Sequence, residues 1–508
     1  MICRTLDRFE TAALKFTASM ENPVFIVVGG GIAGVSCAET INALEPSAKV
    51  VIISVSPLIK AVRNVQELTR TLASFDVDET SIKDYSDLHP NISIIHDIVK
   101  EINSGEKFVV TGCGETLKYT KLCVCTGARQ NVIFSDNKHV VGIRDTASAK
   151  ELDRKLHNAE RLVVVGNGGI AIELIFQIEC CNVVWVIKDK AIGQVFFDPG
   201  ASQFFLPILL NKKTDSSDMK RMTYKLEQSA ATKAGHVTGG ALGPDWHQNL
   251  QLAGQAGQTK EINIQYQAEV ETLLSSDQVD HSEVDRKSNK SLWPVYAKLT
   301  NGKVLGCDFI VSATGVVPNT EVLTQLPCSF SEDGGVRIDE NMRVTGLCGV
   351  YAAGDVCSTT AWQKKPHWHQ MRLWTQARQM GMFAAQCMIS HHKNIQTSNS
   401  SDCETPQDIC FDLFAHATRF FGKRVILLGR YNAQGIEDSQ GLEFLLRTTP
   451  GEEYIKVVML NGRMQGAVLI GETDLEETFE NLILNEIDLS MLGEDLLNPD
   501  VDITDYFD

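Results

Sequence analysis

Two strand–turn–helix signatures, 137 residues apart, restrict this chain more than any other feature. Val24–Val28 is a short, wholly apolar, β-branched run, the pattern of a strand buried on both faces. It runs into Gly29-Gly30-Gly31-Ile32-Ala33-Gly34, then a helical stretch to Leu44 and a second apolar run at Val50–Val55. The order repeats with Leu162–Val165, Gly166-Asn167-Gly168-Gly169-Ile170-Ala171, a helix to Ile178 and a strand at Val183–Ile187. One such turn alone is a weak sign, since a tight bend between strand and helix has the same pattern. Two, each with a strand before and a helix after, predict a pair of βαβ units that hold dinucleotides. The first glycine permits the bend, and the second lets backbone approach a diphosphate. The third position lets the helix pack on the strand. The diphosphate is expected at the helix N-terminus, where free N–H groups favour negative charge.

Three further landmarks join them. Lys121–Cys125 reads as a strand ending in Thr126-Gly127-Ala128. Asp308–Val311 leads into Ala313-Thr314-Gly315 and Val316-Val317-Pro318-Asn319, and a third strand ends in Ala353-Gly354-Asp355. Past a polar stretch at 396–408, Arg424–Leu428 and Tyr454–Leu460 are strand-like. Asn461-Gly462 is a strong hairpin turn returning as Gln465–Ile470, and Leu475–Leu484 has helical period. The expected fold is α/β, with two Rossmann-like domains and a small α+β carboxyl-terminal domain. The expected boundaries are an extension at 1–22, the first cofactor domain at 23–142 and 317–395, and the second at 143–316. A linker at 396–408, the last domain at 409–493 and an acidic tail at 494–508 complete the chain. Polar stretches near 211–240 and 275–290 read as exposed inserts.

Composition removes other classes. The formal charge is −17, and 13 Asp/Glu with no Lys/Arg fall between Glu472 and Asp508. Such a chain has little non-specific attraction for nucleic acid, and its acidic end reads as an interaction tail or a solvated terminus. No apolar run approaches the roughly 18 residues of a membrane-spanning helix. Many of the 14 cysteines sit in apolar strands or helices, as reduced thiols in a reducing compartment would.

An acid is expected about 20 residues beyond each glycine turn, to accept bonds from ribose hydroxyls. After the first turn the strand ends at Ser54 and Ser56, whose hydroxyls bond a ribose more weakly. After the second it ends Ile187-Lys188-Asp189-Lys190. Lysines favour the 2′-phosphate of NADP and an acid favours the free hydroxyl of NAD, so the choice stays open here. Asp355 is either an acceptor for a sugar-like hydroxyl or a helix N-cap.

These residues together resemble the pyridine nucleotide-disulphide oxidoreductases, flavoproteins with two dinucleotide-binding domains. The likeness covers roughly Pro23 to Ile389 and includes Val141-Gly142-Ile143-Arg144-Asp145 as a domain hinge. It implies FAD on Gly29, Gly31, Ile32, Ala33 and Gly34, with Ser54, Lys60, Val99, Thr126, Gly127, Gly354, Asp355 and Thr375 around it. It implies NAD(P)H on Gly166, Gly168, Gly169, Ile170, Glu173, Lys188 and Gly315. Asp355 would bond the ribityl chain, Val99 would meet the adenine, and Lys60 and Trp374 would lie at the reacting ring; no metal is implied. Ser56–Val62, Leu242–His247, Met371–Gly381 and Gly466–Asn485 resemble an animal branch of that family more closely. That likeness implies a nuclear and cytoplasmic protein associated with the tRNA ligase complex. Its catalytic subunit would be guarded against oxidation. Separately, the carboxylates and the Tyr506-Phe507 pair of the acidic tail 494–508 suit insertion into a cationic or metal-bearing pocket of a partner.

One expected part is missing. Between Cys37 and Cys113 there is no cysteine, so no Cys-x₄-Cys pair follows the first βαβ unit. The second domain has adjacent Cys180 and Cys181 in place of a Cys-x₂-Cys pair, and the chain ends without a thiol pair. No histidine–glutamate acid–base pair is recognisable around His416. Cys123 and Cys125 share one face of a strand, and Cys357 is the thiol placed nearest the flavin. Electrons would then leave to oxygen, a quinone or a partner protein. The alternatives are a thiol reductase using Cys357 and a redox-sensing binding protein with structural FAD.

Overall fold

A computed structural model describes residues 23–210, 219–224, 252–253, 260–280, 292–359, 362, 365–396, 406, 409–436, 440–501 and 503. The extension 1–22, most of the proposed linker and the last residues of the tail lie outside them.

Val24–Val28 (β1) leads through the first glycine turn into helix Ile32–Leu44 (α1), which returns to Lys49–Ser54 (β2). Both strands sit inside a five-stranded parallel sheet with 350–352, 121–124 and 92–96, in the order 350–352, 121–124, β1, β2, 92–96. Both faces are covered, which explains why β1 is apolar throughout rather than alternating. Helix Trp374–Gln396 (α3 below) packs so closely on α1 that a β-carbon on Gly381 would stand 2.2 Å from the Ala33 carbonyl oxygen.

The second unit repeats the architecture. Arg161–Val165, helix Gly169–Gln177 (α2) and Asn182–Val186 belong to a parallel sheet ordered 140–142, 309–312, 161–165, 182–186, 262–265. Helix Trp374–Gln396 is labelled α3 and Glu476–Leu484 α4. The carboxyl-terminal domain is a six-stranded antiparallel sheet covered by α4, with the Asn461-Gly462 hairpin turn as expected, both residues at positive φ.

That domain is fixed to the others by buried polar contacts. Lys456, almost wholly buried, pairs with Asp198 and donates to Asn432 Oδ1 at 2.7 Å, and the Tyr454 hydroxyl donates to Asp198 Oδ1 at 3.0 Å. Asp198 itself caps helix Pro199–Leu209 of the second dinucleotide domain. Removing either partner would strand a buried charge, at a cost of about 3–5 kcal/mol. Beside this pair Phe197 and Phe205 of one domain meet Phe420 and Phe421 of the other in one continuous core.

Four features differ from the sequence reading. Leu58–Glu67 (β3) and Ala73–Ser81 (β4) form a long antiparallel hairpin after β2. Its tip docks on the last domain: Arg70 N, Thr71 N and the Thr69 and Thr71 hydroxyls all donate to the buried Glu480 carboxylate of α4. Second, within the insert near 211–240, Lys220–Tyr224 is a strand paired with Leu442–Thr449, so part of the insert completes the carboxyl-terminal sheet. Third, residues 494–497 are not a free tail. Gly493–Leu497 is a 3₁₀ turn with Leu496 and Leu497 in the core, Arg447 donates to the Leu497 carbonyl and Arg221 pairs with Asp495. α3 also runs on to Gln396, into the start of the proposed linker.

Candidate active site

The two glycine turns are built alike. Gly29 has φ +123°, and a β-carbon there would stand 2.2 Å from the Cys125 carbonyl oxygen; Gly166 has φ +128° and the same clash, 2.1 Å, with the Ala313 carbonyl. Each turn therefore crosses the end of a neighbouring strand so tightly that only glycine fits. Gly31 and Gly168, the N-caps of α1 and α2, behave oppositely: a β-carbon on either meets nothing within 4 Å. Neither helix has a side-chain cap or an acid in its first turn, so both N-termini face open space with their N–H groups available.

At the first turn that space is a cavity of about 1150 Å³, above the usual upper bound of about 1000 Å³ for a small-ligand site. Gly29, Gly31, Ile32, Ala33, Ser54, Lys60, Val99, Thr126, Gly127, Asp355 and Trp374 all line it, gathered from six stretches of chain. Gly34 and Gly354 lie behind the wall: the first seats α1 on the turn, and the second brings the 353–355 bend against Ala33. Thr375 does not face the cavity. Its hydroxyl lies 3.1 Å from His416 Nδ1, a buried imidazole whose pKa desolvation lowers to about 3. Ser54 is tied locally, donating to the Ser56 carbonyl and accepting from the Ser56 N–H. The Thr126 hydroxyl donates to the Asn319 carbonyl at 2.6 Å while Asn319 Nδ2 donates to the Thr126 carbonyl, which is how the Thr-Gly and Pro-Asn segments brace each other.

Gly166, Gly168, Gly169, Ile170 and Glu173 sit at the second turn and along α2, with Lys188 exposed just past the adjoining strand. Gly315, at φ +94°, turns the chain out of that sheet, and its carbonyl accepts from Asn131 N.

Several cavity residues escaped sequence reading. Arg144 Nη2 pairs with Asp355 Oδ2 at 3.2 Å, and its Nη1 is buried with no partner. A buried, unpaired guanidinium nitrogen in a cavity wall is the mark of a site that expects an acceptor. The hinge segment was legible, but not the direction of its arginine. Asp97, after the strand next to β2, lines the cavity too. Bonds from the Cys113 and Ile98 N–H groups hold its carboxyl well below the usual carboxylate range. Glu79 of β4 stands 3.8 Å from Lys60 Nζ, and burial lowers the lysine's pKa. These features, with the open space at Gly31, fit a large dinucleotide with an anionic diphosphate, as FAD is.

The thiols fall differently from expectation. Cys357 is wholly buried, does not line the cavity and donates to the Gly354 carbonyl; burial pushes its pKa up. Among the described residues the one cysteine lining the cavity is Cys125, itself buried, with its Sγ 3.5 Å from Cys123 Sγ in the core. Among the described residues no two cysteines line the cavity together, and the stretch after the first βαβ unit, which has no Cys-x₄-Cys pair, forms the β3–β4 hairpin.

A profile described as pyridine nucleotide-disulphide oxidoreductase matches residues 24–217 and 251–381. The chain is 48% identical over 503 residues to pyridine nucleotide-disulfide oxidoreductase domain-containing protein 1 of Homo sapiens, covering 95% of this chain and 98% of that one. Among solved structures it is similar in fold to a covalent putidaredoxin reductase–putidaredoxin complex, with TM-score 0.62, 14% identity and coverage of 94% and 97%. It is also similar to an engineered water-forming NADPH oxidase bound to NADPH, with TM-score 0.60, 15% identity and coverage of 92% of each chain. The chain belongs to the pyridine nucleotide-disulphide oxidoreductase family, whose members are oxidoreductases using FAD and NAD(P)H.

Proposed function

We propose that this chain passes electrons from NAD(P)H through FAD to an acceptor outside itself, with no dithiol relay. The observation that carries the reading is the cavity wall, which among the described residues includes one cysteine, the buried Cys125, and no pair. Bound FAD supplies the chemistry, accepting hydride from a nicotinamide and releasing electrons onward. The chain's own part is to place and polarise. Gly31 and the α1 N-terminus receive the diphosphate, while Asp355, held by Arg144, accepts from the cofactor's hydroxyls. α3 begins at Trp374 on the cavity wall, and its N-terminal dipole favours negative charge there by up to about 2 kcal/mol. Lys60 is kept in place by Glu79 and by a backbone bond to the Gly30 carbonyl.

Conversion of Cys125 and Cys357 to serine, singly and together, tests this reading. NAD(P)H oxidation with an added acceptor is expected to stay within about three-fold of wild type, since neither thiol takes part in the reaction. Collapse of turnover in either variant would restore a thiol reductase.

Resemblance alone supports a further proposal: the chain works in nucleus and cytoplasm with the catalytic subunit of a tRNA ligase complex, through its acidic end. Because Leu496, Leu497 and Ile503 pack into the core, a fair deletion begins at Tyr506 rather than at Glu494. Loss of co-purification with the ligase on removing residues 506–508, with folding unchanged, is the expected outcome; undiminished co-purification would contradict the tail's role.

A further inference from the structure

We propose that Arg372 is a positioning residue for Asp355: it lies behind the cavity wall and fixes the backbone from which the Asp355 carboxylate reaches into the cavity. The inference rests on the reading above, in which Asp355 accepts from hydroxyls of FAD, and goes beyond it by naming what aims that acceptor.

Asp355 follows Gly354, whose φ of +80° bends the chain as it leaves the strand Val350–Ala352. A carboxylate on such a bend moves with its main chain, so its aim depends on what holds both. The side chain is held from the cavity wall by Arg144, at 3.2 Å. The main chain is held separately: Arg372 Nε donates to the Asp355 carbonyl at 2.9 Å.

Arg372 is firmly seated. Its side chain is almost wholly buried, and Nη2 donates to Asp333 Oδ2 at 2.6 Å. Asp333 also accepts from the Ser358 hydroxyl at 2.7 Å and from Gly335 N at 3.1 Å. Burial opposes the charged carboxyl, yet the Arg372 charge and these bonds hold its pKa below the usual carboxylate range, so the pair is ionised at neutral pH. Alongside, Gln370 Oε1 accepts from Thr359 N at 2.8 Å and Nε2 donates to the Cys357 carbonyl at 2.8 Å.

Side chains thus lace residues 370–372 to residues 355–359 just before α3 begins. Leu373 and Trp374, next in sequence, return to the cavity wall, which Arg372 does not line. One guanidinium therefore sets two wall elements, the Asp355 bend and the start of α3. A cation beside a helix N-terminus has the unfavourable sign, and a buried ion pair adds little net stability. What this one supplies is a fixed geometry.

Arg372→Lys separates the two bonds, because lysine carries a carbon where arginine carries Nε. The ion pair with Asp333 is kept and the donor to the Asp355 carbonyl is lost. The readout is the FAD dissociation constant of the full-length protein, in a double-mutant cycle with Asp355→Ala. Asp355→Ala alone is expected to weaken FAD by about ten-fold or more, the worth of hydrogen bonds to a charged acceptor. Arg372→Lys is expected to weaken it about three- to ten-fold in the parent, and less than about two-fold once Asp355 is alanine. Asp333→Asn, which loosens the other end of the guanidinium, is expected to couple to Asp355→Ala in the same way. A merely structural arginine would give equal losses in both backgrounds, so the coupling is the diagnostic quantity. Equal losses for either variant, or full FAD affinity in Arg372→Lys, would overturn the proposal. Full FAD affinity in Asp355→Ala would instead remove Asp355 from the cofactor site, and with it the reading on which the proposal rests.

Discussion

Replacing Gly31 with aspartate is expected to give a protein that folds as well as the flavin-free parent and purifies colourless. Gly31 has ordinary extended angles, φ −82° and ψ 178°, and its β-carbon would enter open space. An aspartate at this N-cap can accept a first-turn N–H of α1, so the apoprotein loses nothing and gains up to a few tenths of a kcal/mol over glycine. The same carboxylate stands where a diphosphate must approach. Two like charges at about 4 Å repel by roughly 1–4 kcal/mol near a protein surface, and the side chain also takes the room. Bound FAD, read as flavin absorbance per protein, should fall below about a tenth of wild type. The melting temperature should match that of wild type stripped of flavin. A yellow variant with full flavin content would remove the first turn from the site.

Gly168→Asp is the matching change at the second turn, where the β-carbon again meets nothing and α2 again lacks a cap. Here the flavin is expected to stay bound, because the first cavity is untouched. Flavin reduction by NADH or NADPH should slow by about 100-fold or more from the same charge and volume argument. Reduction by dithionite, which needs no binding site, should be unaffected. Loss of flavin from this variant, or normal reduction by either coenzyme, would contradict the division of labour between the turns.

The glycine turns were legible because local geometry dictates them: the chain crosses a strand end at Gly29 and Gly166 with no room for a β-carbon. The strands beside them were legible for a similar reason, since burial on both faces leaves a wholly apolar run. What stayed hidden depends on partners far away in sequence. Lys220–Tyr224 carries no apolar period and becomes a strand because Leu442–Thr449 presents a free edge. The acidic run ending the chain conceals Leu496, Leu497 and Ile503, three apolar side chains that pack against the last domain. Arg144 was read as part of a hinge. Only the fold shows its guanidinium on Asp355 with one nitrogen unpaired. The nearness of Cys357 to Gly354-Asp355 in sequence misled, because the bond from its thiol to the Gly354 carbonyl turns it into the core, while Cys125 reaches the cavity from another strand. The position of Thr375 misled likewise: Trp374 and Ala377 of α3 line the cavity, while the Thr375 hydroxyl turns to His416.

The central claim is that reducing equivalents stop at the flavin until something outside the chain takes them. Anaerobic titration of the oxidised holoprotein with dithionite counts them directly. Full bleaching after two electrons per flavin is the predicted end point. Uptake of four electrons per flavin, with the second pair appearing as newly titratable thiols, would show a dithiol in electronic contact with the cofactor and contradict the account.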